Sequence, residues 1–257
     1  MLSIAERHKY ILDKLNEHGF IRITDVAEEL GVTKVTIRND VKILESRGLL
    51  YKVHGSARLA NPHIGDRDLE TKSLLNREAK QSIAARAMEL INDGDSIIIS
   101  AGSTTYALAE TIHNAQPEIS LNVVTPFLKV SVLLSELENV SVEQLGGRVR
   151  KKSCATFGEN SGATLDSFVC SKFFLGVDGV DPDFGITTST IEEAQLSRKM
   201  MAVSSKTVVL ADSSKLGQRG FGHIASLEEI DILVTDDGIS KEMREVIEEA
   251  GIELIIA

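Results

Sequence analysis

The sequence predicts two domains, a small helical domain with a β-hairpin followed by a larger α/β domain with a mostly parallel sheet. A chain of 257 residues is long enough for both. Helical periodicity fills the first sixty residues, whereas short apolar runs alternate with amphipathic stretches beyond residue 76. The charge changes at the same place, from a net +2 over residues 1–60 to a net −12 over the rest. We therefore predict domains at 1–59 and 76–257, joined by a polar linker at 60–75.

The composition excludes several classes of protein. Hydrophobic residues make up 42% and charged residues 26% of the chain, which is typical of a globular protein and not of a disordered one. No apolar run reaches 18 residues, and the charged N-terminus lacks the pattern of a signal peptide. Cys154 and Cys170 are too few for a disulfide framework or a four-cysteine zinc site. We therefore expect a cytoplasmic protein, not bound to a membrane, that needs no metal or cofactor.

The first domain is predicted to be a winged helix-turn-helix. Gly31 ends one helix and Thr33 is a suitable N-cap for the next, so a short turn joins two helices, as in the helix-turn-helix motif. Two short strands around a turn at His54 follow and would form a wing. The predicted helices cover residues 4–17, 25–30 and 34–47, and the predicted strands cover 49–53 and 57–59.

The third helix has the pattern of a DNA-reading element. At 100° per residue, Ile37, Val41 and Leu44 fall on one face, which would pack against the first two helices. The opposite face is polar, and residues 31–58 hold six basic and two acidic side chains. Arginine and asparagine can read base edges in the major groove, while basic side chains of a wing meet phosphates. We predict contacts with double-stranded DNA from Thr33, Lys34, Val35, Thr36, Arg38, Asn39, Lys42, Lys52, His54 and Arg58.

An ordinary solvated helix is the alternative, since the helix-turn-helix pattern alone has many false positives. The division of charge and the wing favour DNA contact. Asp40 fits a groove-facing surface poorly. We expect Asp40 to form an ion pair inside the domain that orients Arg38 or a residue of the wing.

The second domain alternates strands with helices, which predicts an α/β sheet that is mostly parallel and covered on both faces. Strands are predicted at residues 96–100, 121–124, 140–145, 173–177, 207–211, 232–234 and 253–256. Helices are predicted at residues 77–91, 104–113, 127–137, 192–203 and 241–250.

A phosphate-binding loop is predicted at 100–105, which follows a strand and opens a helix. Backbone N–H groups, the helix dipole and three hydroxyl groups would converge there. Ligands of α/β sheets usually bind at the carboxyl ends of the strands, and the next predicted strand leads to Thr125. A plain N-cap is the alternative for this loop.

Three later loops also place polar residues after strands. Asp178 can bind sugar hydroxyls and Lys215 can bind a phosphate or carboxylate. The alternatives are a turn cap for Asp178, an Asx-turn for Asp212 and a plain surface position for Lys215. The predicted effector-binding residues are Ser100, Gly102, Ser103, Thr104, Thr105, Thr125, Gly147, Asp178 and Lys215.

Ordered motifs over nearly the whole chain resemble the DeoR family of bacterial transcriptional regulators. In the first domain they are Glu6-Arg7, Ile11-Leu12, Val26-Ala27, Val32-Thr33, Thr36-Ile37-Arg38, Asp40-Val41, Leu44-Glu45, Gly48, Leu50 and His54-Gly55. In the second they include Gly102-Ser103-Thr104-Thr105, Val124-Thr125, Leu145-Gly146-Gly147, the run from Gly176 to Asp181, Gly185-Ile186-Thr187-Thr188 and the run from Leu210 to Lys215.

The resemblance implies a winged helix-turn-helix joined to a sensor domain with the fold of ribose-5-phosphate isomerase. It implies a repressor of a sugar-catabolism operon that responds to a phosphorylated sugar. We expect a homodimer or homotetramer that presents paired DNA-binding domains to operator half-sites. The sequence departs from the family pattern at Ser56, Ser100 and Pro126, where the family often has glycine, aspartate and asparagine.

An active sugar-phosphate isomerase fused to a DNA-binding module is the main alternative. Isomerisation needs a base that moves a proton between adjacent carbons and a group that steadies the enediolate. The isomerases that the second domain resembles carry a glutamate base, which is missing from the stretch 196–198. Glu192 and Glu193 are expected to lie one or more helical turns away. We therefore expect a sensor and not an enzyme.

Overall fold

A computed structural model describes residues 3–18, 20–46, 49–53, 56–59 and 69–257. The chain forms two compact units, Met1–His63 and Ile64–Ala257. Each unit has a hydrophobic cluster of its own. Among the described residues, no helix is both long enough and apolar enough to cross a membrane.

The N-terminal unit is a winged helix-turn-helix, as predicted. Its elements are α1 (Ile4–His18), β1 (Phe20–Arg22), α2 (Ile23–Glu29), α3 (Lys34–Ser46), β2 (Leu50–Val53) and β3 (Ser56–Leu59). Ile37, Val41 and Leu44 of α3 are buried in one cluster with residues of α1 and α2. The Thr36 N–H donates a hydrogen bond to Thr33 Oγ1 at 3.1 Å, so Thr33 caps the start of α3.

The wing contains a strand that the sequence does not predict. β1 pairs antiparallel with β3, and the sheet order is β1-β3-β2. Ile21 is buried while Phe20 and Arg22 on either side are exposed. Three residues are too few for this alternation to stand out in the sequence. α2 begins directly after β1, two residues before the predicted start.

The second half of the predicted linker is helical, which corrects the irregular structure expected there. Residues 60–68 lie outside the described residues, and α4 (Leu69–Leu74) follows them. Leu69 is buried in the cluster of the larger unit, and its N–H donates to Lys152 O at 3.0 Å. A single buried leucine in a polar stretch gives no periodic signal, so the composition alone indicates a linker.

The larger unit is an α/β domain with more elements than the sequence predicts. In chain order they continue as α5 (Arg77–Met88), β4 (Ser96–Ile99), α6 (Ser103–Ala115), β5 (Leu121–Thr125), α7 (Leu128–Leu134), β6 (Val140–Gln144), β7 (Arg148–Arg150), β8 (Ala155–Phe157), α8 (Glu159–Leu165), β9 (Cys170–Gly176), β10 (Gly179–Asp181), β11 (Gly185–Thr188), α9 (Ile191–Ala202), β12 (Ser204–Leu210), β13 (Gly222–Ala225), β14 (Ile232–Thr235), α10 (Lys241–Glu249) and β15 (Glu253–Ile256). All seven predicted strands and all five predicted helices are among them.

The seven predicted strands form one parallel sheet in the order β15-β14-β12-β9-β4-β5-β6. From β4 the chain moves outward to β5 and β6, and it then returns to β9 and moves outward on the other side. β4 and β9 are therefore neighbours at a switch point, where the carboxyl ends of the strands open a crevice for a ligand. Ser100 and Gly176 meet there, and the Gly176 N–H donates to Ser100 Oγ at 3.0 Å.

Two small antiparallel sheets accompany the main sheet. β7 pairs with β8, and together with α8 they form the return path from the edge strand β6 to β9. β10, β11 and β13 form a second small sheet in that order. The sequence does not predict these strands, because segments of three or four residues are too short for a clear period-2 pattern.

Candidate DNA-binding surface and effector site

The exposed face of α3 carries the side chains that the sequence assigns to DNA. Lys34, Val35, Arg38, Asn39 and Lys42 are exposed. Val35 is 62% exposed even though it is apolar, as suits a side chain that meets a thymine methyl group. Thr33 is exposed and Thr36 half-buried. The arrangement gives α3 one apolar inner face and one polar outer face.

The wing is fastened to α3 by Glu45. The Lys52 N–H donates to Glu45 Oε1 at 2.8 Å, and Lys52 Nζ lies 3.7 Å from Glu45 Oε2. Lys52 is therefore half-buried beside α3. His54 and the side chain of Arg58 lie outside the described residues, so their roles stay predictions.

Asp40 is buried against α1, which corrects the expectation that it pairs with Arg38 or the wing. Its carboxylate accepts from Arg7 Nε at 2.7 Å and from Arg7 Nη2 at 3.1 Å. His8 Nε2 lies 3.3 Å from the Asp40 Oδ1 atom. The ion pair fixes α3 to the start of α1. Asp40 thus positions the DNA-facing surface from behind and does not belong to it.

The loop 100–105 opens α6 at the switch point, and its hydroxyl groups have different roles. Thr105 is fully buried, and its Oγ1 donates to Ser100 O at 2.8 Å. Ser103 is half-buried in the first turn of α6, where Gly102 is the N-cap and makes no side-chain cap. Thr104 is buried beside it. The first turn of α6 therefore offers backbone N–H groups and the Ser103 hydroxyl to an anion.

Two other predicted effector residues are used within the protein. Thr125 is fully buried; its Oγ1 donates to Ile99 O at 2.6 Å and accepts from the Phe127 N–H at 3.1 Å. Gly147 lies between β6 and β7, and a Cβ there would come within 2.5 Å of Phe157 O. Their polar groups and close packing shape the loops around the crevice.

Asp178 lies at the carboxyl end of β9 and is only 5% exposed. Its Oδ1 accepts from Lys72 Nζ at 2.7 Å, and its Oδ2 from Thr188 Oγ1 at 3.4 Å. Burial acts to raise the pKa of Asp178, but the charges of Lys72 and Lys215 outweigh it and hold the pKa below its ordinary value of 3.8. Asp178 is thus a buried carboxylate faced by two lysines.

Asp212 follows β12 at the same edge of the sheet. Its Oδ1 accepts from the Ser214 N–H at 3.2 Å, which is the expected Asx-turn, and also from Asn76 Nδ2 at 2.8 Å. Asp212 is buried, and among the described residues its Oδ2 has no hydrogen-bond partner. Lys215 closes the short 3-10 helix that Asp212 caps. The free acceptor marks a place where a ligand hydroxyl can donate.

A third carboxylate, Glu193, joins this network, although the sequence analysis places it away from the site. Its Oε2 accepts from Thr188 Oγ1 at 3.0 Å and from Ser189 Oγ at 3.1 Å. Arg150 Nη1 donates to Glu193 Oε1 at 2.9 Å. Thr188 therefore bridges Glu193 and Asp178. Among the described residues, no group of three His, Cys, Asp or Glu side chains is arranged to hold a metal ion.

Both units match known families. Residues 7–63 match the DeoR-like helix-turn-helix domain, and residues 75–237 match the DeoR C terminal sensor domain. The chain belongs to the DeoR family.

Its relatives within the DeoR family cover almost the whole chain. The HTH-type transcriptional repressor GlcR of Bacillus subtilis (strain 168) is 30% identical over 251 residues, which are 98% of this chain and 95% of that protein. The lactose phosphotransferase system repressor of Streptococcus mutans serotype c is 33% identical over 234 residues, 90% of this chain and 91% of that protein. Ribose 5-phosphate isomerase A from Methanocaldococcus jannaschii has a TM-score of 0.39 and 19% identity, over 55% of each chain.

The sequence misses several residues at the sensor site of this DeoR-family protein. Lys72, Asn76 and Lys80 come from α4 and α5, before the first strand of the sheet. Sequence reasoning looks for site residues after strands, so these positions have no signal of their own. Glu193 was set aside on its distance along the chain. The hydroxyl-rich stretch 187–190, which precedes it, is the signal that would have brought it to the site.

Asp178→Asn in this DeoR-family protein is expected to lower the Tm of the larger unit by about 5–10 °C near neutral pH. Because the folded-state pKa of Asp178 is lowered, its contribution to stability is present above 3.8 and is lost as the pH falls through the folded value. The difference in Tm between wild type and variant should therefore shrink towards about pH 3. Calorimetry across this range measures it, and a difference that does not change with pH contradicts the prediction.

Proposed function

We propose that the protein is a sequence-specific DNA-binding repressor of a sugar-catabolism operon and that a phosphorylated sugar releases it from DNA. One observation carries the proposal. The crevice at the switch point combines the open first turn of α6 with the buried carboxylates Asp178 and Asp212. The α6 end suits a phosphate, and carboxylates suit sugar hydroxyls. An anion and several hydroxyl groups are the features of a sugar phosphate.

In this proposal the phosphate lies at Gly102, Ser103 and the α6 N–H groups, with Lys215 as a second positive charge. Asp178 and the unpartnered Oδ2 of Asp212 accept hydrogen bonds from hydroxyls of the sugar. Ser100, Thr105, Thr125 and Gly147 support the loops. The relatives named as repressors support the direction of the response, in which the ligand weakens DNA binding.

The DNA-binding part of the proposal gives α3 to the major groove and the wing to flanking phosphates. Paired units of a homodimer or homotetramer would read operator half-sites. Since operator DNA is its target, we place the protein in the cytoplasm. We propose no catalytic role, because both carboxylate oxygens of Glu193 already serve as acceptors and do not face the crevice as a free base. Conversion of ribose 5-phosphate to ribulose 5-phosphate by the purified protein would contradict this.

Ser103→Asp is expected to abolish the response to sugar phosphates, because a carboxylate in the first turn of α6 repels the phosphate. The measurement is thermal unfolding of the full chain with sugar phosphates and with the matching unphosphorylated sugars. For the wild type, a ligand at about 100 times its Kd adds roughly 2.7 kcal/mol. Ser205→Asp, exposed near the amino end of β12, is the control and should respond as wild type does. An unchanged response in Ser103→Asp would contradict the phosphate position.

Arg38→Ala is expected to weaken operator binding about tenfold or more, because a base or phosphate contact is lost. The operator is first selected from random DNA with the wild-type protein, and affinity is then measured at several salt concentrations. Arg244→Ala removes the same charge from an exposed position on α10 and should bind as wild type does. Equal affinities and salt dependences for the two variants would remove Arg38 from the DNA contacts.

A further inference from the structure

The helix that follows the linker is tied to the proposed effector site. α4 contributes Lys72, whose Nζ lies 2.7 Å from Asp178 Oδ1 at the end of β9. Asn76, between α4 and α5, donates from Nδ2 to Asp212 Oδ1 at 2.8 Å, at the end of β12. Both carboxylates are the ones assigned above to sugar hydroxyls. The segment that arrives from the DNA-binding unit therefore uses the same acceptors as the proposed ligand.

Lys80 makes α4 and its connection to α5 one mechanical piece. The Lys80 side chain is buried, and its Nζ donates to Lys72 O at 2.8 Å and to Leu75 O. Burial lowers the pKa of Lys80, although the charge of Asp212 acts to raise it. Because Lys80 holds the backbone of Lys72, a movement of the Lys72 side chain off Asp178 acts directly on α4.

The contacts of α4 are few enough for one ion pair to matter. Leu69 anchors the start of the helix in the core, and Leu74 and Leu75 at its end are exposed. α4 has six residues, so it is too short to be stable without tertiary contacts. Of these contacts, the Lys72–Asp178 pair is the one that lies in the crevice and that a ligand hydroxyl can replace.

We propose that sugar hydroxyls compete with Lys72 for Asp178, so that a bound effector frees Lys72 and loosens α4, the helix next to the linker. This inference rests on the proposed function and adds to it the route by which occupancy reaches the linker. The DNA-binding arrangement has the ion pair, and the effector-bound arrangement has lost it. A ligand shifts such an equilibrium only through its different affinity for the two arrangements.

The proposal is tested on the full chain with Lys72→Met, and Lys206→Met, exposed on β12, is the matched control. In the absence of any sugar phosphate, Lys72→Met should exchange the backbone amide hydrogens of α4 about tenfold faster than wild type and bind the selected operator at least about fivefold more weakly. Lys72→Arg retains a cation that can reach Asp178 and should restore most of the difference. Lys206→Met should behave as wild type.

The second readout is ligand affinity, with ribose 5-phosphate, glucose 6-phosphate and fructose 1-phosphate as probes and inorganic phosphate as the anion alone. A probe that stabilises the wild type should accelerate exchange in its α4 and should bind Lys72→Met about threefold or more tightly, because no competitor has to be displaced. A merely structural lysine would not tighten ligand binding when it is removed. Weaker binding to Lys72→Met, or slower exchange of α4 with the probe, would overturn the competition.

The two proposals fail in different ways. If none of the probes binds the wild type, the proposed effector class is wrong, and exchange and operator affinity without ligand still decide the role of Lys72. If a probe binds and Lys72→Met matches wild type in both of those measurements, the sensor stands and the Lys72 route is overturned. The Tm of each variant shows that it is folded.

Discussion

Asp40→Ala is expected to lower the Tm of the N-terminal unit by about 10 °C or more and to abolish operator binding at ordinary temperatures. The substitution leaves Arg7 as a buried guanidinium without its carboxylate, and His8 loses the same neighbour. Removing one partner of a buried ion pair costs far more than the pair contributes, since the remaining charge stays out of water. α3 also loses its tie to α1, so the DNA-facing side chains lose their position.

The measurements for Asp40→Ala are thermal unfolding and operator affinity of the full chain. The double variant Arg7→Met/Asp40→Leu removes both charges and should regain most of the Tm, because no buried charge is left unpaired. Lys14→Ala is the surface control, since the pair of Lys14 with Glu29 is partly exposed and contributes little. A Tm for Asp40→Ala within a degree or two of the Lys14→Ala value would contradict the buried-pair argument.

Gly185→Ala is expected to destabilise the larger unit by at least about 3 kcal/mol and to remove the response to sugar phosphates. Gly185 has φ +75°, which L side chains rarely adopt, and a Cβ there would clash with the Ala225 carbonyl oxygen of β13. The neighbour is backbone, so it cannot move aside as a side chain would. β11 also holds Asp178, whose N–H donates to Thr187 O at 2.9 Å. Distortion of β11 therefore reaches the crevice.

Gly94→Ala separates the two causes. Gly94 has φ +77°, almost the value at Gly185, but nothing lies within 4 Å of where its Cβ would be. It should therefore show only the backbone strain, about 1–2 kcal/mol. Chemical denaturation of both variants measures the difference. Equal losses would mean that the contact with β13 contributes nothing.

The part of the fold that rests on periodic burial was predictable from the sequence. Ile37, Val41 and Leu44 recur at helical spacing and are buried in the N-terminal unit. The seven main strands are apolar runs, and all seven form the parallel sheet. A segment with several buried residues at a regular spacing leaves a signal that a single sequence can show.

The parts that were missed depend on one or two long-range contacts. α4 is held by buried Leu69 and by the Lys72–Asp178 pair, which joins residues 106 positions apart. Asp40 pairs with Arg7, 33 positions away, and nothing in the local pattern of α3 indicates that partner. For the site, the loops after strands were found, but the side chains that approach them from α4, α5 and α9 were not. Spacing along the chain says nothing about such meetings.

The return path from β6 to β9 gives this fold a place where it can vary cheaply over evolutionary time. β6 is an edge strand and β9 is central, so the chain must cross back through residues 145–169 outside the ladder of the main sheet. The length of that path is not fixed by strand register, and lengthening a connection costs little free energy. Arg150, on the same path, contacts the crevice network through Glu193. Insertions and substitutions there can reshape ligand preference in descendants of this protein while the seven-stranded scaffold is inherited unchanged.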